Sequence, residues 1–414
     1  MSETFLDGRV TLWGGDNRDV LRGFEDNSFD SIVTDPPYVL VSIVKRFGKT
    51  SEGDATKTSE RARGRVDGYA RLTAGGFMGQ KWDTGETVHA VEFWQECLRV
   101  LKPGGHVVAF AGTRTYHRMA CAVEDAGFEI RDMLSWLYGS GFPKSHDVSK
   151  GLGKMLAGPS LRAEWEGWGT ALKPALEPVC FGRKPLVGTV AQNVLEHGTG
   201  AINVDGCRVA TDELAAIGEA SWGGPMKRLS AAPGQDGRLV PRSAPHNQGR
   251  WPANVIHDGS GEVIAAFPDS SGGHWSGETP SLTGKQRAGA ESFDLESGSA
   301  ARFFYTAKAD ADDRIGSKHP TVKPIDLMQW LCRLVTPKGG TVLDPFAGTG
   351  TTGEAAFREG FNAVLIEREA EYLADIRRRM ALVMAGPDER RRELIKAKLA
   401  DQELEVLPLF DTSR

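Results

Sequence analysis

The sequence predicts an α/β protein built on a mostly parallel, doubly wound sheet, and three observations carry that expectation. Short apolar runs at Val10 to Trp13, Ser31 to Thr34 and Val107 to Ala111 are each bounded by Gly, Pro or Asp, as buried strands are, while Thr87 to Leu101 has helical length and spacing. The same punctuation occurs twice, in RVLKPGGHVVAF at 99–110 and RLVTPKGGTVLDPF at 333–346, each running from helix through proline and paired glycines into a strand. A glycine-rich turn in TVLDPFAGTGTTGEAAF at 341–357 then joins a strand ending at Asp344 to a helix opening near Thr351.

The chain of 414 residues is long enough for two or three domain-sized units. Its 50 basic and 55 acidic side chains give a net charge of -5, which excludes a cationic, DNA-coating protein and leaves nucleic-acid contact to local basic patches. Five cysteines, an odd number without a Cys-x-x-Cys pair, argue against a disulfide framework and against a structural zinc site; no metal is expected, and a reducing cytoplasm fits. The N-terminal MSETFLDGRV has no apolar core, and no apolar run approaches the roughly 18 residues of a membrane span, so a soluble protein with no membrane partner is expected.

Taken in order, residues 1–150 read as the first part of a catalytic domain, broken at 42–81 by an irregular stretch with nine basic side chains against four acids. A long loop of that charge is more often a binding or closing loop than scaffold. Residues 151–300 hold 24 glycines and little sustained periodicity, and read as a separate loop-rich insertion. Residues 301–385 resume the alternating pattern, and 386–414 read as a charged C-terminal helix ending in an apolar LPLF tail.

Asp35-Pro36-Pro37-Tyr38 follows directly on the strand-like SIVT. Two prolines fix φ and suit a rigid strand exit. Each group also has a task on an exocyclic amine: the Asp35 carboxylate and the Pro36 carbonyl accept the two amino hydrogens, Pro37 keeps that carbonyl in place, and Tyr38 offers a face for stacking. The glycine turn lacks the Gly-Lys-Ser/Thr of a phosphate-gripping loop but contains Gly348-x-Gly350-x-x-Gly353, with Glu367 nineteen positions beyond Gly348 at the end of strand-like NAVLIE. By itself that turn suits an NAD-dependent dehydrogenase as well.

Together, DPPY early, HPTVKP at 319–324 and DPFAGTGTT late resemble the β-class, S-adenosylmethionine-dependent amino DNA methyltransferases, over roughly residues 8–140 and 300–385. The resemblance implies a circularly permuted, Rossmann-like doubly wound sheet, the class I methyltransferase fold, in which TVLDP and NAVLIE are strands one and two and the chain begins at strand three, with 151–300 inserted as a target-recognition domain. It implies that Asp35, Pro36, Pro37 and Tyr38 are catalytic. Asp344, Phe346, Gly348 and Gly350 would form the methionine-side cofactor turn, with Thr351 and Thr352 at the helix start and Glu367 on the ribose. Asp16 would lie near the adenine, though an acid at that place also suits a helix cap. His319, Thr321, Lys323 and Pro324 would close over the methionine end. GRWPANVIHD at 249–258 and LKPALEPVCFGRKP at 172–185 resemble segments of phage-type members and carry no chemistry that the sequence reveals.

The implied activity is transfer of a methyl group from S-adenosyl-L-methionine to adenine N6 in double-stranded DNA, with cytosine N4 as the alternative, by base flipping and direct transfer. The absence of a Pro-Cys dipeptide disfavours carbon methylation. Lys184, Arg208, Lys227, Arg228, Arg242 and Arg250 are offered to phosphates and base edges. A cytoplasmic, bacterial or phage-encoded enzyme is expected, a homodimer by resemblance, with or without a cognate restriction nuclease. A DNA-binding module without turnover is the remaining alternative, against which the intact Asp35 and Tyr38 speak.

Overall fold

A computed structural model describes residues 2–39, 87–141, 145–155, 158–210, 249–270, 274–275, 293–294, 297–307, 311–317, 321–386 and parts of 388–396. The basic stretch 42–81, Lys227, Arg228, Arg242, His319 and the LPLF tail lie outside the described residues.

Ten strands form one sheet: β1 (Ser2–Phe5), β2 (Val10–Gly14), β3 (Phe29–Thr34), β4 (Leu101–Phe110), β5 (Glu129–Leu137), β6 (Leu176–Arg183), β7 (Val255–His257), β8 (Tyr305–Thr306), β9 (Thr341–Asp344) and β10 (Asn362–Glu367). Their spatial order is β1-β2-β10-β9-β3-β4-β6-β5-β7-β8. All neighbours are parallel except β1 on β2 and β6 against both β4 and β5. The chain therefore begins at one edge, builds outward from β3 to β4, and returns at its far end to place β9 and β10 between β2 and β3, which is the permuted class I methyltransferase sheet.

A parallel sheet must be covered on both faces, and alternation along each strand feeds two cores. Val33, Val108, Phe110, Val342, Ala363 and Leu365 enter one core, while Ile32, Val107, Ala109, Leu343 and Ile366 enter the other. The second core takes α1 (Asn17–Arg22), α2 (Val91–Val100) and α3 (Tyr116–Asp125) through Leu21, Phe93, Trp94, Cys97, Met119 and Val123. Further along the chain come α4 (Val190–His197), α5 (Ile325–Val335), α6 (Thr351–Arg358) and α7 (Ala370–Leu382), of which the last three cover the first core through Leu327, Trp330, Ala355 and Ile376. Both helix, proline and paired-glycine punctuations do join a helix to a strand, α2 to β4 and α5 to β9.

The expected boundary at 151–300 needs correction. Residues 176–183 are the reversed strand β6 in the interior of the sheet, and β7 extends that sheet. The segment after β6 also packs on the catalytic body: Asn193 of α4 donates to the Pro103 carbonyl at 2.9 Å, and Trp330 donates to the Cys207 carbonyl at 3.3 Å. Among the described residues, no helix is long and apolar enough to cross a membrane.

Neighbouring strands β9 and β3 lead to helices on opposite sides of the sheet and to different neighbours, so a crevice opens beyond their carboxyl ends, the usual place for a ligand in an open α/β sheet. Asp344 ends β9 and Asp35 follows β3.

Candidate active site

The two motif turns are tied to each other under that crevice. Thr34 Oγ1, the last side chain of β3, donates to Asp344 Oδ1 at 2.6 Å; the same oxygen accepts the Phe346 N–H at 3.0 Å, and Asp344 Oδ2 accepts Thr352 Oγ1 at 2.5 Å. Burial, partly offset by those bonds, pushes the Asp344 carboxyl up to about 6. Its role here is to brace the turn, with Thr352 serving the brace at the start of α6.

Beyond Thr34, Pro36 is buried and Pro37 half-buried, and the Tyr38 carbonyl accepts Thr115 Oγ1 at 2.6 Å. Val39 then takes φ +52, a left-handed conformation that a β-branched residue rarely adopts. The Asp35 side chain is 18% exposed and uses its two oxygens differently. Oδ2 accepts Lys323 Nζ at 2.6 Å, whereas Oδ1 is buried with no partner among the described residues. An unmatched buried acceptor is costly unless a ligand supplies the donor.

Lys323, 5% exposed, joins this turn from the segment before α5. Its ammonium also lies 3.3 Å from Glu177 Oε2, 4.8 Å from the Phe110 ring centre and 5.2 Å from that of Tyr38. Burial opposes its charge, but Asp35 and Glu177 outweigh that and hold its pKa above the ordinary value. The Tyr38 hydroxyl donates to Glu177 Oε2 at 2.7 Å, and burial followed by the two carboxylates pushes the phenol well above its usual range, so it stays a neutral donor.

On the β9 side, Gly348 and Gly350 take φ +52 and +77, which only glycine adopts freely. The Gly348 N–H donates to Glu367 Oε2, and the N–H groups of Arg368 and Glu369 donate to Oε1, each at 2.8 Å. Burial nevertheless pushes the Glu367 carboxyl up to about 7. The turn is held from behind by Arg379 of α7, buried to 1% exposure, which donates to the Thr349 carbonyl at 2.7 Å and pairs with Glu354 Oε2 at 2.8 Å.

The structure brings Asp35, Pro36, Tyr38 and Lys323 together, with Asp344, Gly348, Gly350, Thr351, Thr352 and Glu367 alongside. Phe346 packs at 5.2 Å on Phe93. Asp16 caps α1, accepting the Arg18 N–H at 3.0 Å and its guanidinium at 2.9 and 2.8 Å, which holds its carboxyl below the usual range. Thr321 is exposed, and Pro324 is buried at the N-cap of α5. Lys323 is thus on the Asp35 side of the crevice rather than simply over the glycine turn.

Of the basic residues offered to DNA, Lys184 is engaged with the body, donating to the Leu101 carbonyl at 2.7 Å and to Asn27 Oδ1 at 2.8 Å. Arg208 pairs with Asp205 at 2.8 Å and lies over Trp251, and Arg250 lies over Phe303. The sequence reading missed Glu177. Its signal was the LKPALEPVCFGRKP segment, in which an acid sits beside a proline at the start of a short apolar run.

A glycine turn without side chains between a braced aspartate and an acid on the neighbouring strand suits a nucleoside with a ribose diol. The orphaned Asp35 Oδ1 beside it suits an amine donor. These features, on this sheet, define a methyltransferase-type site. The chain matches the family described as DNA methylase over residues 29–177 and 248–378, and it belongs to that family.

Among relatives, the type II methyltransferase M.HindIII of Haemophilus influenzae is 29% identical over 206 residues, 46% of this chain and 64% of that protein. M2.DpnII of Streptococcus pneumoniae is 41% identical over 68 residues, 16% of this chain and 25% of that protein. The matches therefore span less than two thirds of these relatives. Among solved structures, TTHA0409 from Thermus thermophilus, complexed with S-adenosyl-L-methionine, shares 19% identity over 91% of this chain and 96% of its own, with a TM-score of 0.40. The cytosine-N4-specific PvuII DNA methyltransferase shares 13% identity over 95% of this chain and 93% of its own, with a TM-score of 0.44.

Proposed function

We propose that this protein methylates the N6 amino group of adenine in double-stranded DNA, using S-adenosyl-L-methionine. The observation that carries the reading is Asp35 Oδ1, a buried acceptor without a partner among the described residues, just after β3 and beside the glycine turn of β9. Family membership supports methyl transfer to a DNA amino group; the first-position aspartate of DPPY favours adenine over cytosine.

An amine inside a duplex is out of reach, so the target base is turned out into the crevice, where Tyr38 offers a ring face. Asp35 Oδ1 accepts one amino hydrogen and the Pro36 carbonyl the other. Hydrogen bonding of both draws the nitrogen toward a pyramidal form whose lone pair leaves the ring π system. S-adenosylmethionine, when bound, supplies an electrophilic methyl group. Glu367 accepts its ribose hydroxyls, Gly348 and Gly350 leave room for its backbone approach, and Asp16 stands at the adenine end. Asp35 then takes the proton that the methylated nitrogen releases.

The test is incubation with labelled S-adenosylmethionine and unmethylated mixed-sequence duplex, followed by nucleoside analysis. N6-methyladenine is expected, and Asp35→Ala should abolish it. Label in N4-methylcytosine would move the substrate to cytosine, and DNA without label would overturn the reading. Gel filtration with and without duplex decides whether the enzyme works as a homodimer.

A further inference from the structure

Glu177 belongs to none of the motifs that mark the site, yet it touches two of their members. It stands at the start of β6, opposite Trp136 of β5, and the neighbouring Pro178 carbonyl accepts the Ala111 N–H at 2.9 Å, so the sheet fixes its backbone on both sides. Its side chain is 15% exposed. A single oxygen, Oε2, accepts the Tyr38 hydroxyl at 2.7 Å and lies 3.3 Å from Lys323 Nζ, which itself lies 2.6 Å from Asp35 Oδ2.

One ammonium therefore serves two carboxylates. Were Asp35 its only partner, the pair would be neutral and the aspartate a weaker acceptor for an amine. With Glu177 present, the three side chains carry a net charge of -1, which suits a site that accepts amino hydrogens beside a cationic methyl donor. The phenol bond adds a geometric constraint, since it fixes where the hydroxyl end of the Tyr38 ring lies: rotation about the Cα–Cβ bond would carry the hydroxyl away from Glu177.

We propose that Glu177 is a positioning residue for methyl transfer: it anchors Tyr38 and shares the Lys323 ammonium with Asp35, so that the aspartate keeps its strength as an acceptor for the target amine. The proposal rests on the methyl-transfer function proposed above.

It is tested on the full chain with labelled S-adenosylmethionine and unmethylated mixed-sequence genomic DNA, by single-turnover rate and by calorimetric cofactor affinity. Glu177→Gln keeps an oxygen for the Tyr38 hydroxyl but removes the charge. It should slow transfer roughly 10- to 100-fold while cofactor affinity stays within about twofold. Adding Lys323→Gln should return several-fold of the lost rate, because no ammonium then remains on Asp35. A merely structural role would lower affinity and rate together and give no recovery.

A wild-type rate in Glu177→Gln, or a folded double variant no faster than the single one, overturns the proposal. Should Glu177→Gln not fold, Tyr38→Phe carries the test, since it keeps the ring and deletes only the hydroxyl that Glu177 accepts; a several-fold slower rate is expected, and an unchanged rate overturns the anchoring. Wild-type protein that puts no label on DNA removes the methyl-transfer function and this proposal with it. Labelled DNA beside an equally fast Glu177→Gln variant removes this proposal alone.

Discussion

Lys323 and Asp35 are separated by 288 positions in the chain, and their ammonium and carboxylate meet at 2.6 Å. The contact joins the two halves of the permuted domain across the crevice. It also sets the charge of the site, because Glu177 stands on the other side of the same ammonium.

Lys323→Met should therefore be strongly destabilising. It leaves two carboxylates, 18% and 15% exposed, without their common cation. Removing one partner of a largely buried ion pair costs about 3 kcal/mol or more. Denaturant unfolding should show a lower midpoint, and unchanged stability would mean that the ion pair is not maintained in solution.

On the function proposed above, Glu367 makes cofactor binding depend on pH. Its carboxyl is raised from 4.5 to about 7, so the ligand-free protein holds that proton below about 7, and the ribose diol needs the ionised acceptor. Affinity for S-adenosylmethionine should be level above about pH 8 and fall toward tenfold per unit below 7, with proton release on binding. Calorimetry across pH 6 to 8.5 checks this, and Glu367→Gln should be weak and flat. The same shift has the opposite sense for folding: the raised pKa contributes stability below about 4.5 that is lost as pH rises through about 7.

Arg379 is the brace behind the glycine turn. In Arg379→Met the Thr349 carbonyl loses its 2.7 Å donor and Glu354, fully buried, loses one of its cations, although Arg358 and Arg390 remain on its other oxygen. Stability should fall by about 3 kcal/mol, and cofactor affinity should fall by several-fold through the loosened turn. Thermal unfolding with and without cofactor separates the two effects.

Gly353, third glycine of the turn, is needed for packing rather than for backbone freedom. A Cβ there would lie 2.6 Å from Leu365 Cδ1, and Leu365 is fully buried in β10. Gly353→Val should cost about 2 kcal/mol by overpacking, read as a lower unfolding midpoint. A variant as stable as wild type would show that α6 can move away from the sheet.

Legibility in the sequence was uneven for physical reasons. β3, β4, β9 and β10 could be read because strands buried on both faces are continuous apolar runs with sharp ends. β6 was missed because LEPVCFGR carries a charge and a proline just after its first residue and a glycine just before its last. The proline is tolerated at the strand's start, and the glycine is required where a Cβ would come within 2.9 Å of Val107. Lys184 was offered to DNA for its charge alone, whereas its ammonium is spent on the Leu101 carbonyl and Asn27.

By itself the sequence determined the motif-bearing turns and their order, because those depend on local chemistry: prolines that fix a strand exit, glycines that permit positive φ, an acid at a strand end. Only the tertiary structure decided which charges meet. It put Lys323 on Asp35, left Oδ1 of that aspartate without a donor among the described residues, and brought in Glu177 from a strand that no motif marks. Such pairings are set by strand order and register across the sheet, and spacing along the chain carries no information about them.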